Sequence, residues 1–350
     1  MEKELIERIQ QAIAKRTPLR IIGGGSKAFY GRHGPGAALN VGGHRGIVSY
    51  APSELVITAR AGTPLAEIEA ALAANNQMLP FEPPHFAASA TLGGMVACGL
   101  SGPRRPWGGS VRDAVLGVKL LNGRGEVLRL GGQVMKNVAG YDLSRLMVGA
   151  LGTLGVLLEV SIKVLPRPAA ERTRVFALDA AGAAAHLQDW TRRQMPISAS
   201  LHVDGQLFLR LSASARCVDM AVEQLGGEAA EDAIWTQARE QTLPFWQTGL
   251  PLWRIVLPAA APSLNLPASE LIEWGGGQRW LRIDPHAELP ATALRQRVHA
   301  LGGHATLFRN HDDGEVFQPL APALLALHQR IKRALDPHAI FNPGRLYEAL

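Results

Sequence analysis

At 350 residues, 47% of them hydrophobic, the chain is long enough for about two domains with sizeable cores. A net charge of +6 suits an anionic ligand or an acidic partner, yet Lys and Arg are scattered rather than gathered in a block, which argues against nucleic acid. With Cys98 and Cys217 as the only cysteines, neither a disulfide framework nor a four-cysteine iron–sulfur or zinc cluster can be built from this chain, and no apolar run reaches the roughly 20 residues of a membrane-spanning helix.

Glu2, Glu4 and Glu7 precede Lys15 and Arg16, while Leu5, Ile6, Ile9 and Ile13 recur at helical spacing. This predicts an opening helix matched to its own dipole rather than a secretion signal, and a reducing cytosol best fits the two widely separated cysteines. Short apolar runs follow at 19–22, 55–59, 114–121, 127–130 and 156–165, separated by turns, and read as strands. Between them, 64–74 reads as a helix with Thr63 as N-cap and Leu65, Ile68 and Leu72 as its apolar stripe. The runs ending at Leu121 and starting at Val127 straddle Asn122-Gly-Arg-Gly125, a hairpin signal. That mixture predicts an α+β fold rather than a doubly wound parallel sheet.

Composition shifts at Leu165-Pro-Arg-Pro168, after which the chain is Ala-rich and carries Trp190, Trp235, Trp246, Trp253, Trp274 and Trp280 as expected core or interface anchors. The predicted organisation is a first domain over 1–168, a smaller α+β cap over 169–310, and a C-terminal segment over 311–350. The cap carries candidate strands at 200–203, 207–211, 254–257 and 279–283. The final segment carries a helix over 320–335 followed by Phe341-Asn-Pro-Gly-Arg345.

Four elements of the first half set glycines among small residues: Gly23-Gly-Gly-Ser26, Thr91-Leu-Gly-Gly94 with 97–101, Trp107-Gly-Gly-Ser-Val-Arg112, and Gly149-Ala-Leu-Gly-Thr-Leu-Gly-Val156. The first follows a β-branched strand and reads either as a Gly-rich turn or as a loop whose N–H groups converge on an anion such as a diphosphate. Neither the nucleoside-triphosphate loop nor the spaced-glycine dinucleotide fingerprint is satisfied. A turn needs one or two such residues, whereas an extended dinucleotide needs close backbone approach along its whole length, so the set favours the larger ligand.

In order and spacing these elements resemble the FAD-binding domain of the vanillyl-alcohol oxidase and para-cresol methylhydroxylase (PCMH) superfamily. Within it, Lys136-Asn-Val-Ala-Gly-Tyr-Asp-Leu143 and Gly152-Thr-Leu-Gly-Val156 are similar to the D-lactate and glycolate oxidising branch. Glu82-Pro-Pro-His85, Gly93-Gly-Met-Val-Ala-Cys-Gly99, Gly102-Pro-Arg-Arg-Pro-Trp107 and the run 135–147 are similar to the FAD-binding E subunits of bacterial glycolate oxidase, and this likeness covers nearly the whole chain. The resemblance implies a PCMH-type FAD domain, a cap, and a C-terminal return that packs back on the flavin domain. It places FAD on Gly23, Gly24, Gly25, Ser26, Lys27 and Gly31, on Gly93, Gly94, Ser101 and Gly109, and on Gly155 and Val156. It further implies oxidation of glycolate, with D-lactate as a second 2-hydroxy acid, in a complex with a sister FAD subunit and an iron–sulfur subunit. Such a complex would be cytoplasmic, or peripheral on the cytoplasmic face of the inner membrane. The rival readings are a non-catalytic assembly subunit and a stand-alone FAD-dependent 2-hydroxy acid or sugar-alcohol oxidase.

The chain departs from that pattern at three places. Ser26 stands where members with a covalently tethered flavin carry a histidine, so a dissociable FAD is expected; His33 is the nearest histidine and reads as a surface residue. The Gly-Asp-Gly-Asn-x-His motif of the oxidising subunits has no counterpart, and no metal site is expected. His304 and Arg309, with His311 and Asp312, are the candidates for a base and a carboxylate clamp, against the alternative of a solvated polar turn. Ala150-Leu151 stands where the branch carries Ser-Glu. A positive charge near the flavin could come from Arg104, Arg105, Lys136 or Arg345.

Overall fold

The computed structural model describes residues 1–132, 141–283, 289–309 and 314–350, and everything below concerns those residues. The opening helix, Glu2–Lys15, buries Leu5, Ile9 and Ala12 and closes on Arg16 in the left-handed region. Strand Leu19–Ile22 then pairs in parallel with Ala37–Asn40. A five-stranded antiparallel sheet follows in the order Ile47–Ala51, Val56–Arg60, Val156–Lys163, Val115–Leu121, Val127–Gly131. The hairpin at Asn122 forms as its sequence suggests, with Asn122 Oδ1 accepting from the N–H groups of Arg124 and Glu126. Helices Leu65–Ala73 and Leu92–Cys98 cover this sheet through Leu65, Ile68, Leu72, Leu92, Met95 and Val96.

The helix after Thr63 is capped differently from the sequence expectation. Pro64 is its N-cap, and the Thr63 hydroxyl instead donates to the carbonyl of Arg60 (2.7 Å) and accepts from the N–H of Gly46. Binding two loops together uses the side chain that a helix start would otherwise have taken.

Strands between Ala170 and Arg309 form one eight-stranded antiparallel sheet, in the order Glu228–Ala229, Ala170–Ala177, Gln206–Ala213, Ile197–Val203, Ser269–Glu273, Gln278–Arg282, Leu252–Val256, His304–Arg309. The six tryptophans of this part of the chain are all buried. The architecture is thus α+β with no closed barrel. A charged knot joins this sheet to the N-terminal half: Glu82 accepts from Arg104 Nε (3.1 Å) and Arg210 Nη2 (2.9 Å), and Arg104 also reaches Glu171. Burial alone would raise the Glu82 carboxyl, but Arg210 and Arg104 outweigh it and hold Glu82 below the usual range. Trp274 Nε1 adds a hydrogen bond to the carbonyl of Gly102.

After this sheet the chain returns. Helix Pro322–Leu335 carries the buried Lys332, whose ammonium donates to Asp336 Oδ2 and to the carbonyls of Thr153 and Phe341, each at 2.7 Å. Asp336, buried as well, accepts from the N–H groups of Ile340 and Phe341. Phe341 then bridges to Leu19 beside the first strand. Breaking a buried pair leaves the remaining charge uncompensated, so Lys332→Met is expected to lower unfolding free energy by about 3–5 kcal/mol in a urea titration. Arg333→Met one residue along, outside the knot, should change it by less than about 0.5 kcal/mol.

Candidate functional site: a glycine-walled cleft

The first strand breaks at Gly23 because segment 89–91 lies directly against it. A Cβ on Gly23 would sit 2.7 Å from Thr91 Oγ1, and one on Gly24 only 1.4 Å from the carbonyl oxygen of Ser89, whose hydroxyl donates to the Gly24 carbonyl. Gly25 differs. It has φ +73°, and a Cβ there would meet no heavy atom within 4 Å, so its backbone turns through the left-handed region facing open space.

Lys27, on the same loop, is only 7% exposed and donates to the carbonyl of His85 (3.2 Å) and to Ser26 Oγ (3.4 Å), 5.6 Å from the centre of the Phe86 ring. Burial pushes its ammonium below the usual lysine value, with Cys98 and Glu240 acting the other way. Among the described residues no carboxylate pairs with it.

Two further glycine elements meet this loop. Thr91 caps helix Leu92–Cys98 by accepting from the N–H of Gly94, and Gly93 packs so closely on Ala61 that a Cβ would stand 2.7 Å from the alanine's own. Across from it, the turn 149–155 is fixed by the return segment: Asn342 Nδ2 donates to the carbonyl of Leu151 (2.6 Å) while its Oδ1 accepts from the N–H of Ile21 (2.8 Å). The three elements enclose a cleft of two abutting chambers, about 360 Å³ and about 80 Å³. Gly23, Gly24, Gly25, Ser26, Lys27, Gly93, Gly94 and Gly155 line it. Gly31 supports it from behind, where a Cβ would stand 2.7 Å from Leu151.

Three expected residues lie elsewhere. Val156 is fully buried in the core with Leu121 and Leu158, because successive residues of a strand face opposite ways and Leu157 takes the cleft side. Gly109 ends the turn of helix Arg105–Gly108 at φ +86°, and no residue of the 107–112 element lines the cleft; Ser101, from the element that brings Gly94 to the cleft, lines a small separate cavity instead. Residues to which the sequence reading gave no cofactor role do reach it: Thr91, Cys98 and Asn342. Burial pushes the Cys98 thiol up to about 11, so it stays neutral.

The expected cations are divided. Arg104 is engaged by Glu82 and Glu171, and Arg105 stacks 4.5 Å over the Trp274 ring. Arg345 lines the cleft and donates to the carbonyls of Ala28, Tyr30 and Arg32, clasping the back of the first loop. His33, read as a surface residue, is exposed and at the same time lines the cleft. Lys136, Asn137, His311 and Asp312 fall outside the described residues.

His304 and Arg309 do not form the expected pair. They occupy opposite ends of one strand, five residues or roughly 16 Å apart. Arg309 is enclosed by rings, 3.9 Å from the centre of Phe29 and 4.8 Å from that of Phe86, and donates to Gln241; burial and the charge of Arg282 bring it down to about 10. His304 neighbours Arg254, and burial followed by the charges of Arg254 and Arg105 lowers its pKa. A further group, Glu2, His44 and Glu159, sets three possible ligand atoms within 4.8 Å of one another, but the Lys119 ammonium already stands 2.7 Å from Glu2.

The cleft therefore offers backbone N–H groups at a glycine turn, a buried lysine with no carboxylate partner among the described residues, and apolar walls, a donor set that fits a long ligand carrying a diphosphate. Comparison with known proteins agrees. The family description "FAD binding domain" matches residues 1–131, and "FAD linked oxidases, C-terminal domain" matches residues 309–346. The chain is 51% identical to the glycolate oxidase subunit GlcE of Escherichia coli (strain K12), over 99% of this chain and 97% of that protein. The chain belongs to the GlcE family of FAD-linked oxidase subunits. Beyond this family, the glycolate oxidase subunit GlcD of Bacillus subtilis (strain 168) is 34% identical over 37% of this chain and 28% of its own length. A solved structure of alkyldihydroxyacetonephosphate synthase shares the fold with a TM-score of 0.68 at 16% identity, covering 97% of this chain and 75% of that one. FAD is the cofactor, and this GlcE-family chain is a flavoprotein of the oxidoreductases that act on CH–OH groups.

Three outcomes follow for flavin binding. Gly24→Ala, whose methyl would collide with the Ser89 carbonyl, is expected to give protein with little flavin absorbance at about 450 nm, whereas Gly25→Ala, meeting only the left-handed backbone cost of about 1–2 kcal/mol, should retain most of it. Charge-assisted hydrogen bonds contribute roughly 1.5–3 kcal/mol, so Lys27→Met should weaken FAD binding about tenfold or more in an equilibrium titration. Because the protonated amine favours the anion and burial lowers its pKa, FAD affinity of the unsubstituted chain should fall as pH rises into the alkaline range, earlier than an ordinary lysine would dictate. Lys27→Met should flatten that slope.

Proposed function

We propose that the chain is the FAD-binding subunit of a multi-subunit oxidase of glycolate and related 2-hydroxy acids such as D-lactate, and that its electrons leave through an iron–sulfur partner. The observation that carries this reading is the cleft itself: three glycine elements and the return segment converge on one cleft that holds the Gly25 turn and the buried Lys27. The full-length likeness to a protein named as a glycolate oxidase subunit supports the substrate class.

When bound, FAD supplies the two-electron acceptor that these residues cannot. Around it, Gly25 opens the loop for the diphosphate and Lys27 offsets its charge. Arg345 holds the loop from behind, and Asn342 fixes the opposite wall. With His304 and Arg309 separated, the chain does not bring its expected base and carboxylate clamp together. That favours a sister FAD subunit as the main site of glycolate oxidation. The two cysteines of the sequence cannot hold a four-cysteine cluster, which supports onward transfer through another chain. No helix among the described residues is long and apolar enough to cross a membrane, so any membrane association is assigned to the complex.

The purified chain and the intact complex, each loaded with FAD, are the test. Anaerobic glycolate should bleach the flavin of the complex and leave that of the isolated chain oxidised. Bleaching of the isolated chain would instead identify a self-sufficient oxidase. A colourless chain that stays colourless after incubation with FAD would leave only an assembly role.

A further inference from the structure

Behind the flavin cleft lies a second cavity of about 620 Å³, bounded by the return helix, the turn 149–154 and one end of the eight-stranded sheet. Its walls are mostly apolar, with Leu146, Val148, Leu154, Leu324, Ile331 and Leu346 as the main contributors. The sheet end is different. Arg254 and His304 come from adjacent antiparallel strands in which Arg254 faces Thr306 and Val256 faces His304, so Arg254, Thr306 and His304 share one face. The Arg254 guanidinium lies 5.3 Å from the centre of the Trp274 ring, and that of Arg105 lies 4.5 Å from the same indole. Tyr30, buried, lines the same cavity as Arg254.

Two guanidinium groups around one ring repel each other unless an anion answers them. Among the described residues neither forms an ion pair. Arg254 donates to the neutral Gln278 amide. The acidic groups that act on this pair from further off are Glu273 on Arg254 and Asp113 on Arg105. The Glu273 carboxylate is engaged by Gln278 and Trp280, and burial favours its neutral form; Asp113 is engaged by Ser110. Positive charge therefore remains where Arg254 lines the apolar chamber, with Arg105 against the same Trp274 ring.

We propose that this cavity binds an organic monocarboxylate with an apolar body, its carboxylate on Arg254 beside Tyr30 and His304 and its chain along Leu324 and Ile331. A two-carbon acid would use only the polar end, so the ligand is larger than glycolate. Ala150 and Leu154 line both this cavity and the inner chamber of the cleft, which gives an occupant here a physical route to the flavin. The inference stands apart from the glycolate reading: flavin content and bleaching test that reading, carboxylate binding tests this one.

The test is calorimetric titration of the FAD-loaded full chain with octanoate, acetate and 1-octanol. Octanoate should bind one to one, at least tenfold more tightly than acetate, because each buried methylene adds roughly three- to fourfold in affinity. The alcohol, lacking the charge, should bind at least tenfold more weakly than octanoate. Arg254→Gln should cut octanoate binding tenfold or more while thermal midpoint and flavin content stay unchanged. Leu324→Glu, at a partly exposed wall position that tolerates a polar side chain in the fold, should cut it similarly and decides the matter if Arg254→Gln fails to fold. Absence of saturable octanoate binding, equal binding of the alcohol, or octanoate affinity untouched by the folded variants would overturn the proposal.

Discussion

The side chain of Asn342 is the contact on which the cofactor half depends. Its two ends satisfy the N–H of Ile21 and the carbonyl of Leu151, joining the first strand to the turn that forms the opposite wall of the cleft. Both partners are backbone groups that would otherwise be left without hydrogen bonds in a partly buried place. No aliphatic residue could replace both. Aspartate would lose the donor, and glutamine would place the same groups too far from the backbone. Gly152 is the complement of this residue, since a Cβ there would stand 2.7 Å from the Asn342 amide nitrogen.

Around that bridge the glycines divide into two kinds. Gly23, Gly24 and Gly93 are small because other protein atoms press on them, and they serve packing; Gly152 combines such a contact with a left-handed backbone at φ +71°. Gly25 is small because its backbone turns the left-handed way into open space, the conformation that the proposed diphosphate site requires of it. A glycine-rich sequence alone cannot separate these cases. The cost of a methyl group does, because in the first kind it falls on the fold and in the second on the loop's conformation.

This distinction also explains what was legible in the sequence. Periodicity exposed the opening helix, the hairpin at Asn122 and part of each sheet, since each is decided by residues a few positions apart, but it did not mark Ile47–Ala51, Ala170–Ala177, Glu228–Ala229, Ser269–Glu273 or His304–Arg309. The glycine order and the Asn342-Pro-Gly-Arg345 tail pointed to the flavin fold and to the cleft lined by Gly23, Lys27, Gly94 and Gly155. What escaped is decided by long-range packing. Val156 belonged to the same motif as Gly155 but faces the core, and Thr63 had the identity of a cap but its hydroxyl is used by a neighbouring loop. Arg254 had no local signal, because its significance lies in Trp274, Arg105 and Tyr30, none of them near it on the same strand. Arg309 and His304 looked like partners because they are close in sequence, whereas an extended strand moves residues apart faster than a helix or turn would.

The pairing of Ile21 with Asn342 spans 321 residues. A ribosome therefore releases the first strand long before the amide that completes it exists, and throughout that interval the glycine loop has only half of its enclosure. In the proposed site, flavin uptake would accordingly follow synthesis rather than guide it, and a chain lacking its last residues would leave the first strand without the amide that joins it to the opposite wall.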